Sequence, residues 1–352
     1  MAVAMMAAQQ GGAVLFESTG DPSYNTNAPS GTLTNSGWQY EGQWYIWLGT
    51  PIAPTFFLTA HHVNGNVGDP LILNGFSYKT VAFYDDPDSD LRIWKVAQTF
   101  PYYAPLYTNS NEVGKTLVVI GRGTDRGPAV VVGGVTNGWQ WGSDNNIERW
   151  GENTVSGVYT DMVDYPAAQL LYAIFQNNGM SNECDLSLND SGGGMFIQDG
   201  GTWKLAGINY TVSNPFVSTT GVNGSGFDAA LLDYFHLYIG GDGNWQLYTN
   251  HAAGAFYCTR VSSRMSWING IINYNLGNDL GIAGVQTVGS DTQINLITGS
   301  NRLYEVDYTT NLVNAVWTTL TNNVAGTGGV VSVVDPGAAS QPQRFYRAAI
   351  AP

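Results

Sequence analysis

A serine flanked by an acidic residue and by glycines is the first feature of the chain that could do chemistry. Ser191 lies in the run NDSGGG at 189–194, and the apolar residues MFI at 195–197 follow it like the beginning of a strand. A serine hydroxyl is a weak nucleophile unless a base removes its proton. Because Gly and Ser are also common in ordinary turns, a catalytic interpretation requires a histidine and a carboxylate elsewhere in the chain.

Candidates for the base and the acid occur earlier in the chain, each next to a predicted strand. His61 and His62 follow the apolar run 55–60, and Asp90 precedes the run 91–96. Taken alone, such a histidine is commonly structural, and such an acid is commonly a turn residue. Taken together, the chain order His, Asp, Ser is one of the orders in which the members of a catalytic triad occur.

The composition is typical of a strand-rich chain with few charges. Of its 352 residues 43% are hydrophobic and only 11% are charged, and 44 are Gly, 20 Tyr and 11 Trp. This mixture favours short strands and turns over long helices. The net charge of −14 argues against nucleic acid or an anionic membrane surface as a partner. The longest charge-free runs, 42–68 and 308–334, are broken by Pro, Gly or polar residues, so no membrane span is predicted.

Changes in composition and in the pattern of polar and apolar residues along the chain predict the domain organisation. Residues 1–12 resemble the end of a signal peptide without its basic segment, which predicts an exported protein. Residues 13–275 read as one strand-rich domain with an NG hairpin signal at 74–75 and an amphipathic helix over 262–272 near its end. Residues 285–352 alternate polar and apolar residues and predict a separate small β-sandwich module.

Several segments, in this order, resemble the motifs of the chymotrypsin/trypsin-like serine peptidases. They are TAHHV at 59–63, which resembles T-A-A-H-C, DLRIWKV at 90–96, which resembles D-I-A-L-L-K-L, NDSGGG at 189–194, which resembles G-D-S-G-G-P, LAGINY at 205–210 and YCTRVSSRMSWI at 257–268. The resemblance covers roughly 40–275 and identifies His62, rather than His61, as the base. It implies an all-β fold of two six-stranded antiparallel β-barrels with a C-terminal helix, and a site between the barrels.

The resemblance also implies a role for each member of the site. Ser191 would attack a peptide carbonyl, His62 would accept and return the proton, and Asp90 would hold the His62 tautomer. The backbone N–H groups of Asn189 and Ser191 would form the oxyanion hole. The implied function is that of a serine endopeptidase acting on protein or peptide substrates without a cofactor or a metal.

Several positions depart from the family pattern, among them Gly194 in place of the final proline of the serine motif and Thr211 in place of a tryptophan in the cleft strand. Asn189 stands where the family has glycine, although Asn is among the residues that best tolerate a positive φ. Tyr210 stands where the strand lining the substrate cleft has a small serine, so the groove for substrate differs. The chain also lacks an I-V-G-G-like segment that could place a new N-terminus beside Asp190, so Asp190 requires another partner.

The primary substrate pocket and the two cysteines are interpreted through the same resemblance. It places Asp185 at the floor of the pocket, where an acid selects Lys or Arg; the alternative is a loop residue that faces solvent. It also brings Cys184 and Cys258 close enough for a disulfide beneath the pocket, and two buried thiols remain the alternative.

Localisation and two competing functions complete the expectations. The chain is expected to be a secreted or extracellular bacterial protein, with the periplasm and the cell surface as alternatives. Residues 285–352 are similar to β-rich modules of secreted bacterial hydrolases, and attachment to a surface or a glycan competes with a role as a spacer. The competing functions are a non-catalytic adhesion protein on a protease fold, and an esterase that uses the same triad.

Overall fold

The chain divides into two compact units. The computed structural model describes residues 14–144, 146–161, 163–221, 224–241, 244–278, 280–299, 302–313 and 315–351. The first unit contains the described residues up to Gln98 together with Tyr102–Arg264, and the second contains Thr99–Pro101 and Met265–Pro352. The signal-peptide interpretation of 1–12 lies outside the described residues. The predicted domain limits at 275 and 285 stay predictions.

The first unit begins with a closed barrel. The first seven strands of this unit are β1 (Leu15–Phe16), β2 (Gly42–Trp44), β3 (Trp47–Ala53), β4 (Phe56–Ala60), β5 (Pro70–Leu73), β6 (Phe76–Asp85) and β7 (Leu91–Val96), and β1 lies outside the barrel. Strands β2 to β7 close a six-stranded barrel in the order β2-β3-β4-β7-β6-β5, which we call the barrel half. Trp44, Phe57 and Trp94 fill it, because apolar residues of several strands point to one interior.

One turn of the barrel half was predicted from the sequence, and one strand pair matters for the site. The predicted hairpin at 74–75 joins β5 to β6, with Leu73 opposite Phe76. Strand β4 runs antiparallel to β7, and its last residue, Ala60, lies opposite the first residue of β7, Leu91. The residues that follow β4 and those that precede β7 therefore meet at one end of the barrel.

The rest of the first unit, which we call the sheet half, consists of antiparallel sheets. Its strands are β8 (Thr116–Gly121), β9 (Thr124–Val132), β10 (Val135–Asp144), β11 (Arg149–Thr154), β12 (Gly157–Thr160), β13 (Gln169–Ile174), β14 (Cys184–Asp185), β15 (Gly194–Asp199), β16 (Thr202–Val212), β17 (Phe216–Ser218), β18 (Phe227–Leu231), β19 (Tyr238–Gly241), β20 (Asn244–Leu247) and β21 (Ala255–Arg260). A seven-stranded sheet has the order β11-β8-β15-β16-β21-β13-β12, and a six-stranded sheet has the order β20-β19-β17-β18-β10-β9. Strand β1 pairs with β14. The predicted all-β class is confirmed, and these two sheets occupy the place where the resemblance implied a second six-stranded barrel.

The second unit contains the helix and a small sandwich. Helix α1 (Met265–Asn278) is preceded by a 3₁₀ turn at Val261–Arg264, so the α-helix begins a few residues later than the sequence predicted. The strands that follow are β22 (Gly281–Val288), β23 (Asp291–Ile297), β24 (Leu303–Thr309), β25 (Thr318–Ala325), β26 (Val330–Asp335) and β27 (Phe345–Ile350). They form two three-stranded sheets, β22-β23-β26 and β25-β24-β27, that share a core of Ile294, Leu296, Val306 and Val333. Among the described residues, no helix has both the length and the apolar character that a membrane span requires.

Candidate active site

The structure brings His62, Asp90 and Ser191 together in one line of hydrogen bonds. The ring Nδ1 of His62 lies 2.6 Å from Asp90 Oδ2, and its Nε2 lies 2.8 Å from Ser191 Oγ. The pairing of β4 with β7 explains the first contact, because His62 follows β4 and Asp90 precedes β7. Ser191 comes from the loop before β15 in the sheet half. The site is thus assembled from both halves of the first unit.

Asp90 fixes the protonation pattern of the His62 ring. The backbone N–H of His62 donates to Asp90 Oδ1 at 2.9 Å, so both carboxylate oxygens face the histidine. Asp90 is 1% exposed, whereas the His62 side chain is 42% exposed. An acceptor at Nδ1 holds the proton there and leaves Nε2 free to accept the Ser191 proton. A buried carboxylate at this distance also stabilises the imidazolium that forms when His62 accepts that proton.

Glycines allow the serine loop to approach the barrel half. Gly192 has a φ of 79°, and a Cβ on it would lie 2.4 Å from Thr59 Oγ1 and 2.5 Å from the Leu48 carbonyl oxygen. A Cβ on Gly193 would lie 2.1 Å from the Ile120 carbonyl oxygen. Only residues without a side chain fit such contacts. The two glycines therefore allow the serine loop to pack closely against its neighbours as well as to turn.

Two backbone N–H groups beside Ser191 are available as oxyanion donors. Asn189 adopts a φ of 72°, the conformation expected for a glycine at this position, and its side-chain Nδ2 donates to Asp144. Among the described residues, no acceptor is paired with the backbone N–H of Asn189 or of Ser191. Unpaired donors at such a position can stabilise negative charge on a substrate oxygen. The arrangement fits the two donors that the resemblance implied.

Asp190 is held by backbone and hydroxyl donors. The backbone N–H groups of Gly123 and Ser187 donate to it at 2.8 and 2.7 Å, and the Ser187 hydroxyl donates at 3.0 Å. The backbone N–H of Val14 is a further donor. Burial raises the pKa of Asp190 to about 6, against the lowering effect of these hydrogen bonds. The sequence analysis did not identify a partner for Asp190. In the structure, uncharged backbone and hydroxyl donors take that place.

Sequence reasoning did not find the role of Val14. The side chain of Val14 is fully buried, and its backbone has a φ of 58°, which a β-branched residue rarely adopts. It lies directly before β1, whose pairing with β14 brings the start of the described chain to the base of the serine loop. The short apolar run AVLF at 13–16 was the only signal, and it does not specify a partner.

A cavity of about 280 Å³ lies against Ser191. It is lined by His62, Trp141, Leu186, Ser187, Leu188, Asn189, Asp190, Ser191, Asn209, Tyr210, Thr211, Val212 and Pro215. Tyr210 also lies beside His62, with the two ring centroids 5.9 Å apart, and its hydroxyl donates to Asp164 at 2.8 Å. Its expected role in substrate binding stays a prediction.

Asp185 does not line this cavity, which corrects its expected place at the pocket floor. It is 3% exposed and belongs to β14, opposite Leu15 of β1. Its Oδ1 accepts the backbone N–H of Leu186 at 2.9 Å, and burial raises its pKa to about 7. The alternative of a solvent-facing loop residue is wrong as well, since Asp185 is buried and belongs to a strand.

The two cysteines are free thiols. The disulfide that the resemblance implied is therefore wrong, and the alternative of two buried thiols is what the structure has. Cys184 and Cys258 are both fully buried members of one apolar core in the sheet half. The Sγ of Cys258 donates to Asn209 Oδ1 at 3.3 Å. Burial raises the pKa of both thiols well above the usual value, which keeps them protonated and unreactive.

His61 and a nearby loop border the triad without joining it. The Nδ1 of His61 lies 2.8 Å from the Tyr165 hydroxyl, and its Nε2 lies 3.7 Å from Asp85. Tyr165 and Asp164 line a second cavity next to His62 and Tyr210. No sequence motif indicated a role for this loop. Among the described residues, no group of His, Cys, Asp and Glu side chains is arranged to hold a metal ion.

Comparisons with known proteins give structural similarity only. No family model matches the chain, and no curated protein matches it. Mouse neuropsin, described as a serine protease expressed in the limbic system of the brain, is similar with a TM-score of 0.40 and 15% identity over 68% of this chain and 96% of that one. Rv3671c from M. tuberculosis, solved as an inactive serine-to-alanine mutant, is similar with a TM-score of 0.39 and 11% identity over 70% of this chain and 95% of that one.

Proposed function

We propose that the chain is a serine endopeptidase in which Ser191 is the nucleophile. The observation that carries the proposal is the unbroken line of hydrogen bonds from Asp90 through His62 to Ser191, with distances of 2.6 and 2.8 Å. Such a line supplies the three things that a hydroxyl nucleophile requires: a base within reach, a fixed tautomer and a counter-charge.

The reaction follows from the positions of these groups. Ser191 Oγ bonds to the carbonyl carbon of the scissile peptide while its proton moves to His62 Nε2. The negative oxygen of the tetrahedral intermediate accepts hydrogen bonds from the N–H groups of Asn189 and Ser191. When the C–N bond breaks, His62 gives its proton to the leaving amine, and the acyl group stays on Ser191 as an ester. A water molecule, deprotonated by His62, then hydrolyses the ester and restores the serine.

Labelling by a fluorophosphonate probe tests this function directly. The probe should label the purified wild-type chain, and it should not label Ser191→Ala. Ser181→Ala is the matched control, because Ser181 is an exposed serine that lies outside the cavity lining, and it should keep labelling. Correctly folded wild type that is not labelled would contradict the proposal and favour a binding protein on a protease fold.

Substrate turnover separates a peptidase from an esterase. Cleavage of casein by wild type, lost in Ser191→Ala, supports the proposal. Turnover of a simple ester with no cleavage of casein or peptides would assign the same triad to an esterase instead.

A further inference from the structure

The cavity beside Ser191 is placed to receive one side chain of the substrate. The N–H groups of Asn189 and Ser191 face the position of the scissile carbonyl oxygen, and both residues also line the cavity. The side chain on the acyl side of the scissile bond is one atom away from that carbonyl carbon. With a volume of about 280 Å³, the cavity is smaller than the roughly 300–1,000 Å³ of sites that hold a whole small molecule, and it suits a single side chain.

Part of the cavity wall away from the triad is apolar. Leu186, Val212, Pro215 and the ring of Trp141 contribute carbon surface. The Nε1 of Trp141 has no acceptor among the described residues. An indole N–H can only donate, so it does not attract a cation.

Three of the polar side chains in the walls, those of Ser187, Asn209 and Asp190, are already engaged with the protein. The Ser187 hydroxyl donates to Asp190 and accepts the backbone N–H of Thr124 at 2.9 Å. The Asn209 amide donates to two backbone carbonyls, and its oxygen accepts the thiol of Cys258. Both oxygens of Asp190 accept hydrogen bonds from the surrounding backbone. None of these groups is free to pair with a charged substrate side chain.

The acid that could have paired with a cation is not in the cavity. Asp185 is 3% exposed and absent from the lining, and its Oδ1 accepts the backbone N–H of Leu186. A Lys or Arg head placed in the cavity would lose its water without gaining a carboxylate, which is strongly unfavourable.

From these contacts we infer that the enzyme cleaves after uncharged apolar residues of moderate size and discriminates against Lys and Arg. The inference rests on the proposed peptidase function and names the substrate class of the same site. Apolar burial of the side chain supplies the affinity, and the absence of a free carboxylate supplies the discrimination.

Peptides that differ only in the residue before the scissile bond test the inference. With Leu, Val, Phe, Lys, Arg or Glu at that position, kcat/KM for the best apolar residue should exceed that for Lys and Arg by roughly 100-fold or more. Faster cleavage after Lys or Arg would overturn the inference, while probe labelling of Ser191 in the same preparation would leave the peptidase function standing. If folded wild type is neither labelled nor active, both fail.

Two sets of variants locate the determinant. Asp185→Asn should leave the ratio of Leu to Arg cleavage within about twofold of wild type, because this carboxyl group does not face the substrate. A selective loss of Arg cleavage in Asp185→Asn would overturn the inference. Val212→Asp, compared with its neutral match Val212→Asn, should raise Arg cleavage relative to Leu by about tenfold or more. Equal ratios in these two variants would show that the side chain binds elsewhere.

Discussion

His62 donates two hydrogen bonds to Asp90, one from its backbone N–H at 2.9 Å and one from its ring Nδ1 at 2.6 Å. The first bond holds the chain after β4 against the residue before β7, and the second sets the proton on the ring. The position of His62 and the placement of the proton on its ring therefore both depend on the buried carboxylate of Asp90.

Asp90→Asn is expected to keep the fold and lose most of the activity. An amide nitrogen facing Nδ1 would favour the other tautomer, whose Nε2 carries the proton and cannot accept one from Ser191. The expected loss in kcat is about 10⁴-fold, measured on a peptide substrate with circular dichroism as the fold control. Asp88→Asn is the matched variant, since Asp88 is 65% exposed at its side chain and lies two residues away. Comparable losses in both variants would contradict the role of Asp90.

Gly192→Ala is expected to destabilise the first unit far more than Gly200→Ala. Both glycines have a positive φ, 79° and 58°, but a Cβ on Gly200 meets nothing within 4 Å. Gly200→Ala should therefore cost only the backbone term of about 1–2 kcal/mol, and Gly192→Ala should add the clash with Thr59 and Leu48. Chemical denaturation measures the difference in the free energy of unfolding. Equal losses of unfolding free energy in the two variants would mean that the serine loop shifts to accommodate the added Cβ at little cost.

The stability of the protein should depend on pH through Asp185. Burial raises its pKa in the folded state to about 7, from about 3.9 in the unfolded chain. The folded state thus binds the proton more tightly, so this contribution is fully present below about pH 4 and is lost as the pH rises through about 7.

Asp185→Asn should remove that dependence because its amide does not titrate. Melting temperatures of wild type and variant, measured at pH 5 and at pH 8, are compared as a difference so that other groups cancel. The variant should gain stability relative to wild type at pH 8. A difference that is the same at both pH values would show that the carboxyl group does not titrate in this window.

A chain that begins at Val14 should be more stable and more active than the full chain. Its α-ammonium group would stand where the Val14 amide now donates to Asp190, and a cation beside this buried carboxylate lowers its pKa. A chain that begins at Ala13 is the control, since its charge lies one residue away. Melting temperature and kcat/KM measure the effect. Identical behaviour of the two shortened chains would show that the charge at Val14 has no special role.

The grouping of His62, Asp90 and Ser191 could be predicted from the sequence because these residues lie in short segments with local signals. His62 and Asp90 adjoin apolar runs that are strands in the structure, and the glycines after Ser191 mark a turn that only small residues can make. These features depend on neighbours in the chain, so residue types are sufficient to find them.

The surroundings of Asp185 could not be predicted, because they depend on contacts between distant residues. Strands β1 and β14 have two residues each, too short for any alternating pattern, yet their pairing buries Asp185 and brings Val14 to Asp190. The fate of the cysteines has the same origin. Cys184 lies opposite Phe16 of β1 and is buried in the same core as Cys258, whose thiol bonds to Asn209.

The close seating of Gly192 against Leu48 and Thr59 has a consequence for folding. His62 and Asp90 come from the barrel half and Ser191 comes from the sheet half, so neither half alone contains the line of hydrogen bonds. For the proposed peptidase, activity would therefore report that both halves have folded and joined, and a folding intermediate with only one half formed would be inactive. Such a chain would not cleave other proteins before its own folding is complete.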